Sequence, residues 1–227
     1  MNLELAVWND AIPDPAAQQE IKRKAIIRAA AQAFSRQGSH SVTLENVAER
    51  LGVSKAALYR YIPNKHALIL ACQDEALEIA AQAMERASAE QSTGLAKIRR
   101  SLQLYLLDTM EQLGVPALIL EDNALRGDDA LRILQKRDIY EKQMRALVIE
   151  GHADGSILPV EPKMAVFMVL GAIHWVAKWY RPDGSWSPEM VADTIAALAT
   201  RALDPTPAAT LAVSFPLDHA KEDLHAI

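Results

Sequence analysis

An all-α fold is predicted by three features of the sequence. No stretch alternates apolar and polar residues with the period of two that a half-buried strand requires. Apolar residues recur instead at helical spacing, as Ile26, Ala30, Ala33 and Phe34 do at i, i+4, i+7 and i+8. Pro116, Pro162 and Pro188 each stand just inside the start of such a segment, where a helix tolerates proline best.

The first helix is expected over residues 18–37, with Lys24, Arg28 and Ser35 opposite the apolar face and Gly38 as the left-handed residue that ends it. Thr43 has the character of an N-cap, and Val42 and Val47 stand on either side of it as a hydrophobic staple. Gly52 stops this second helix after Leu51. Ser54 opens a third, with Val53 and Leu58 repeating the staple. Two short, separately capped helices joined by a glycine turn form a helix-turn-helix. Pro63 pushes the residue before it out of helical conformation, and Asn64 caps a long helix running from Lys65 toward Glu90. Further helices are expected over residues 93–112, 115–125, 128–150, 162–180 and 188–203. The two ends, 1–17 and 204–227, carry proline and little periodicity and are expected to be a flexible arm and a loose tail. The chain then divides into the arm, a helix-turn-helix domain over 18–66, a helical domain over 67–203 and the tail.

Composition excludes several classes of function. Cys72 is the only cysteine, so neither an internal disulfide nor a thiolate zinc cluster can form within one chain. The six histidines are scattered, with no His-Glu-x-x-His spacing. The sequence HADGSILP at 152–159 mimics part of a calcium loop but lacks its repeated acids and closing glutamate. No nucleophile and base pair and no glycine-rich phosphate loop is evident, so neither an enzyme nor a resident metal or cofactor is expected. No run approaches the ~18 to 20 apolar residues needed to span a bilayer, and the amino end MNLELAVWNDAIPDP lacks a basic leader and an adequate apolar segment. A cytoplasmic protein with no membrane partner is the expectation.

A net charge of −5 argues, taken alone, against binding a polyanion. Counted by region it does the reverse. Residues 18–66 hold nine lysines and arginines against three acids, a balance of +6 that leaves −11 for the rest. Within that basic module GVSKAALYRYIPNKHAL, residues 52–68, sets Tyr59, Arg60 and Tyr61 in a row behind a glycine turn. Three such side chains resist joint burial, since each polar tip needs a partner. In a helix-turn-helix the second helix enters the DNA major groove with its amino-terminal residues on the base edges, while surrounding groups hold phosphates. Ser54, Lys55, Ala56 and Leu58 occupy that amino-terminal stretch; Tyr59, Tyr61 and Lys65 stand where hydroxyls and an ammonium can grip the flanking backbone. Lys22, Arg23 and Lys24 form either a solvated face or a further grip on the DNA backbone or minor groove.

RKAIIRAAAQAFSRQG and TLENVAERLGVSKAALYRYIPNKHAL, within residues 23–68, resemble the DNA-binding domain of the TetR family of transcriptional regulators. The I-I-x-A-A helix, T-x-x-x-V-A, G-V-S, L-Y-x-Y and N-K-x-x-L stand in register over about a fifth of the chain. Leu51 replaces a usual alanine, Ala56 a frequent glycine and Ile62 a common phenylalanine. The resemblance implies a dimeric all-α protein whose first three helices bind a double-stranded operator and whose carboxy-terminal domain binds a small ligand. It implies phosphate contacts from Thr43, Tyr59, Tyr61 and Lys65, and base reading by Ser54, Lys55 and Ala56. KWYRPDGSWSPEMVADTIAALATRAL, through W-Y-R-P-x-G and S-P-E, is also similar to members that answer to acyl-CoA thioesters.

The expected function is that of a ligand-responsive regulator, a repressor that binds a palindromic operator as a homodimer and is released by a small apolar effector, with an acyl-CoA thioester as candidate. The alternative is a nucleoid or protein-partner-controlled DNA-binding protein without such an effector. Leu106, Met110, Met144, Phe167, Met168 and Trp175 supply adaptable apolar surface for a ligand, and Lys178 and Arg181, with Arg137 and Arg145, are candidate cations for an anionic head. Dimerisation is expected through residues 162–180 and 188–203 as a four-helix bundle, with Gly171, Ala172, Ala192, Ala196 and Ala199 allowing close approach.

Overall fold

The computed structural model describes residues 14–115 and 125–206. Those residues form eight α-helices and no strand: α1 Pro15–Gln37, α2 Leu44–Arg50, α3 Lys55–Tyr59, α4 Lys65–Glu90, α5 Gly94–Gln112, α6 Gly127–Asp154, α7 Pro162–Trp179 and α8 Pro188–Arg201. The expected helix over 115–125 lies almost wholly outside the described residues, as do most of the expected arm and tail.

Side-chain caps set most helix starts. Asp14 accepts from the Ala17 amide at 2.7 Å and Pro15 occupies the first turn, so α1 begins three residues before the sequence-based start. Thr43 and Asn46 form a reciprocal capping box on α2, and Ser54, Asn64, Thr93 and Ser187 cap α3, α4, α5 and α8. The α6 helix continues four residues past the expected Glu150, to Gly155 in the left-handed conformation. The Asp-Gly pair that imitates a calcium loop has a structural task there. Asp154 accepts from the Gly94 amide and from the Ser156 amide, both at 2.8 Å, while the Ser156 hydroxyl accepts from Leu95 at 3.1 Å. The turn after α6 thereby satisfies two of the orphan amides at the start of α5.

Helices α4, α5, α6 and α8 make the principal packing layer: α5 lies against α4, α6 and α8, and α7 closes over α6 and α8. Ile98, Leu102, Leu106, Met144 and Ile173 fill the centre. Burying one such side chain contributes roughly 1.5 to 3 kcal/mol. The amino-terminal three helices have their own apolar centre in Ile27, Phe34, Val42, Val47 and Leu58, which continues into α4 through Leu68. Two polar ties fasten this module: Arg28 donates to the Glu111 carbonyl at the end of α5, and Arg50 donates to Gln32 at 2.9 Å. Cys72, fully buried and directed at the Ile27 carbonyl, is part of the same seam.

Candidate nucleic-acid interface and cavity

The turn between α2 and α3 is short because Gly52 takes φ 65° and its amide donates to Glu49, while Val53 donates to Ala48. Leu58 is the single buried residue of α3, at 1 % exposure. It anchors the five-residue helix on the core and does not reach DNA bases, which corrects its sequence-based assignment. Its inward position turns Lys55, Ala56, Tyr59 and Arg60 outward. Val53 stays exposed, so the staple across this cap does not bury both of its members.

Ser54 uses its hydroxyl to accept from Ala57 at 3.2 Å, and Thr43 accepts from Asn46 at 3.2 Å. Ser54 keeps its hydroxyl proton for an outside acceptor, whereas the Thr43 hydroxyl also donates to Asn46 Oδ1 at 2.9 Å, a bond it must give up to donate to a phosphate. Lys65 donates one of its three protons to the His40 carbonyl at 2.9 Å, which fixes the ammonium beside the Thr43 cap. Lys55 pairs with Glu45 on α2 and lies 5.5 Å from the centre of the Tyr59 ring. The pair holds the Glu45 carboxyl below its ordinary range and raises the Lys55 ammonium above its own. Nothing in the sequence pattern marked this pairing, because the two residues belong to different helices. Tyr61 is half-buried with its stem on the core, and Arg23 pairs with Glu20 one turn earlier at 3.5 Å. The exposed side of α3 and the flanking caps thus carry hydroxyls and cations around small side chains, the composition that close approach to a DNA backbone requires.

A second feature is a cavity of about 460 Å³ bounded by α4, α5, α6 and α7. Ala76, Leu77, Ala80, Leu134, Phe167 and Leu170 form its apolar walls; Gln73, Arg137, Asp138, Glu141, Lys163 and His174 are its polar members. Arg137 donates to Gln73 at 2.8 Å across the α4 and α6 walls. Glu141 is held by Arg145 at 2.8 Å, so its charge is offset. Burial, reinforced by the Arg137 cation, lowers the affinity of His174 for a proton, and burial pushes the Tyr140 phenol up to about 12. An apolar space with a few convergent polar groups is the usual form of a small-molecule site.

Only Phe167 among the eight ligand residues inferred from sequence lines this cavity. Leu106 and Met144 are wholly buried in interhelix packing. Met110 lines a separate groove of about 610 Å³ where α1 meets the end of α5 and the α7 to α8 connection. Met168, Trp175, Lys178 and Arg181 are exposed and lie outside the cavity lining. Of the four candidate cations Arg137 alone is in the cavity wall, and Lys163 joins it. The W-Y-R-P-x-G segment makes the turn after α7, where Trp179 and Trp186 meet edge to face at 5.9 Å and Gly184 donates to Arg181.

The expected contact helices divide in the same way. Met164, Phe167, Met168 and Trp175 leave α7 with a long exposed apolar face, and a side chain at Gly171 would meet open space. Ala192, Ala196 and Ala199 are buried within the protomer on the inner side of α8, so they do not supply close approach to a second copy. Met190 and Leu198 are the exposed apolar residues of that helix.

Among the described residues no group of three or more His, Cys, Asp or Glu side chains could hold a metal ion, and no helix is long and apolar enough to cross a membrane.

Comparison with known proteins agrees with both parts of the chain. Residues 26–72 match the model of bacterial regulatory proteins of the tetR family, and residues 91–203 match the tetracyclin repressor-like C-terminal domain. The HTH-type transcriptional regulator RutR of Escherichia coli (strain K12) is 32 % identical over 188 residues, 78 % of this chain and 80 % of that protein. The nucleoid occlusion factor SlmA of Vibrio atlanticus is 29 % identical over 176 residues, 74 % of this chain and 88 % of that one. The crystal structure of AibR in complex with isovaleryl coenzyme A and operator DNA shares the fold, with a TM-score of 0.64 at 23 % identity over 78 % of this chain and 96 % of that one. With its helix-turn-helix and its helical carboxy-terminal domain both matched in place, the chain belongs to the TetR family of transcriptional regulators.

Proposed function

We propose that this regulator is a ligand-responsive repressor that binds a palindromic operator as a homodimer and leaves it when a small, mostly apolar effector occupies the cavity between α4 and α7. The observation that carries the reading is the placement of the cavity wall on α4, the helix whose first turn adjoins the DNA-binding module. An effector there can bias α4 without touching DNA. One helix-turn-helix covers only a half-site, and the exposed apolar face of α7 with Met190 and Leu198 of α8 is a surface through which two copies can pair about a two-fold axis. A regulator of chromosomal operators works in the cytoplasm, and that is the compartment proposed for it.

The effector class follows from the cavity. Its apolar walls suit an acyl chain, and Arg137 and Lys163 suit an oxygen-rich head. AibR, which shares the fold, is held in its structure with isovaleryl coenzyme A and operator DNA, which supports an acyl-CoA thioester as candidate. A cavity of about 460 Å³ accommodates the acyl end and leaves the nucleotide of such a thioester outside. The test is operator selection from randomised duplexes, followed by titration of the selected complex with acyl-CoA thioesters and their free acids. Release of the operator by either supports the reading; full operator affinity at saturating concentrations of both contradicts it.

The similarity to SlmA favours a second reading, DNA binding at many scattered chromosomal sites without a small effector. Genomic occupancy separates the two, since the first expects a few promoters and the second a dispersed pattern.

A further inference from the structure

We infer that Arg137 is the group that receives the effector's anionic head and that Gln73 is its reporter, the bond between them being a tether that the head must displace. The inference rests on the reading of the cavity as the effector site and names the chemistry that site senses: an apolar chain ending in a carboxylate or comparable oxyanion.

The tether is the innermost of three polar ties that join α4 to α6. Arg137 donates to Gln73 at 2.8 Å; Asp74 accepts from Arg132 at 2.8 Å and from Lys136 at 2.6 Å; His66 meets Asp129 at 2.8 Å. Gln73 and Asp74 meet positions 132, 136 and 137 of α6 at the cavity end, and His66 meets Asp129 nearer the DNA-binding module. Beyond them Lys65 is fastened to His40 beside the cap of α2. Only the first tie lies in the cavity wall.

Gln73 is a buried polar residue, at 6 % exposure, and its amide oxygen has Arg137 as partner. Leaving a buried amide oxygen unpaired is unfavourable, so α4 is held where Arg137 can reach it. Arginine presents a planar fork suited to taking both oxygens of a carboxylate at once. An oxyanion that draws the guanidinium round to present its fork to both oxygens turns the Nη2 donor away from Gln73, and α4 loses the tie to α6 that lies in the cavity wall. The other charges facing Arg137 do not replace the anion. Glu141 is engaged by Arg145, and Asp138 is exposed on the same helix. His174, its proton affinity lowered by burial and by the Arg137 cation, adds a hydrogen-bonding group from α7. Lys163, exposed and 5.5 Å from the Phe167 ring, adds a second cation from α7.

The experiment uses the full chain with its selected operator, and octanoate, octanoyl-CoA and octanamide as probes. Operator affinity and melting temperature are read for each. Octanoate is expected to lower operator affinity by about tenfold or more, within the range usual for coupled sites. The neutral amide is expected to have no such effect. An effect of the acid assigns the head to a free carboxylate; an effect of the thioester alone, whose phosphates this cavity leaves outside, overturns Arg137 as the group that receives the head.

In Arg137→Met, operator affinity should fall toward the effector-saturated value, and the active probe should no longer raise the melting temperature. In Gln73→Leu, affinity should fall similarly while the probe still raises the melting temperature, so that binding and release part company. Gln73→Glu replaces the tether by an ion pair; it should keep operator affinity and require several times more probe for release. A merely structural role would not move that concentration, and this variant keeps the test decisive if the other two fail to fold. Unchanged probe response in Gln73→Glu, or release by octanamide equal to that by octanoate, overturns the tether alone. Failure of the unaltered protein to respond to any probe overturns the reading of the cavity, and the tether with it.

Discussion

The Lys55 ammonium at the start of α3 is paired with the Glu45 carboxylate on α2, so the first outward residue of the recognition helix is already engaged within the protein. A DNA contact by Lys55 would have to compete with Glu45 for this cation. Glu45→Gln is therefore expected to strengthen binding to all sequences severalfold at low salt, and the gain should fade as salt is added, since an exposed pair is readily screened. Lys55→Ala should instead change which sequence is preferred. Fluorescence anisotropy on selected and scrambled duplexes at several salt concentrations checks both.

Leu58 and Ala56 are two residues apart on α3 but serve different ends. Leu58→Ala opens a hole in the core under the recognition helix and is expected to cost ~2 to 5 kcal/mol of stability. Ala56→Gly lies on the exposed side and should cost only the ~0.5 to 1 kcal/mol of a glycine in a helix while altering operator preference. Denaturant melts alongside operator binding will separate the two effects.

Gly94 starts α5 where it crosses α6, and a β-carbon there would fall 2.4 Å from both the Gly151 amide nitrogen and the Leu147 carbonyl oxygen. Backbone atoms cannot rotate away, so the helices must part. Gly94→Ala is expected to destabilise the fold by ~1 to 3 kcal/mol, the usual range for overpacking. Thermal unfolding checks it, with Gly155→Asn, at a left-handed helix end in open space, as the tolerated comparison.

Asp154 supplies a pH dependence at the same junction. Its carboxylate accepts from the Ser156 and Gly94 amides, and hydrogen bonds from Ser156 and Gly94 lower its proton affinity. A carboxyl whose folded value lies below the unfolded value of about 3.9 stabilises the fold above that pH and loses the contribution as pH falls through the folded value. Asp154→Asn should thus lower the melting temperature at pH 7 and approach the unaltered protein as the pH drops below about 4. A difference that stayed constant down to the acid limit would contradict the assignment.

Cys72 is buried, and its thiol is pushed far above its ordinary range by that burial. Native protein should resist thiol-directed maleimide at neutral pH and become modified at the rate at which the fold opens. Rapid labelling without unfolding would place Cys72 on an accessible surface.

The helix-turn-helix was legible in the sequence because its determinants are local. Thr43, Gly52, Ser54 and Asn64 each act on amides within a few residues, so spacing alone reveals them. The cavity was not legible, because it is made where distant helices fail to touch. Periodicity says that Leu106, Met144 and Phe167 sit on apolar faces, but it cannot say that the first two meet neighbours while the third borders open space. The Arg137 and Gln73 hydrogen bond joins residues 64 positions apart and leaves no pattern in either helix. The alanines of α8 misled for a related reason: small residues permit close approach, and here the approach is to α5 of the same chain.

Regulation as proposed requires the exposed side of α3, with Thr43, Tyr59, Tyr61 and Lys65 around it, to be a sequence-specific DNA-binding surface used twice in a dimer. Footprinting of the purified protein on a duplex selected from random sequence, with Lys65→Ala alongside, is the sharpest test. Two symmetric half-sites should be protected, their centres a whole number of helical turns apart, about 34 Å or a multiple of it. Lys65→Ala should weaken binding to every sequence and reduce the log–log salt slope by ~0.9 for each phosphate it leaves without a cation. Selection that enriches no sequence, or a footprint and salt slope unaffected by Lys65→Ala and Tyr59→Ala together, would contradict it.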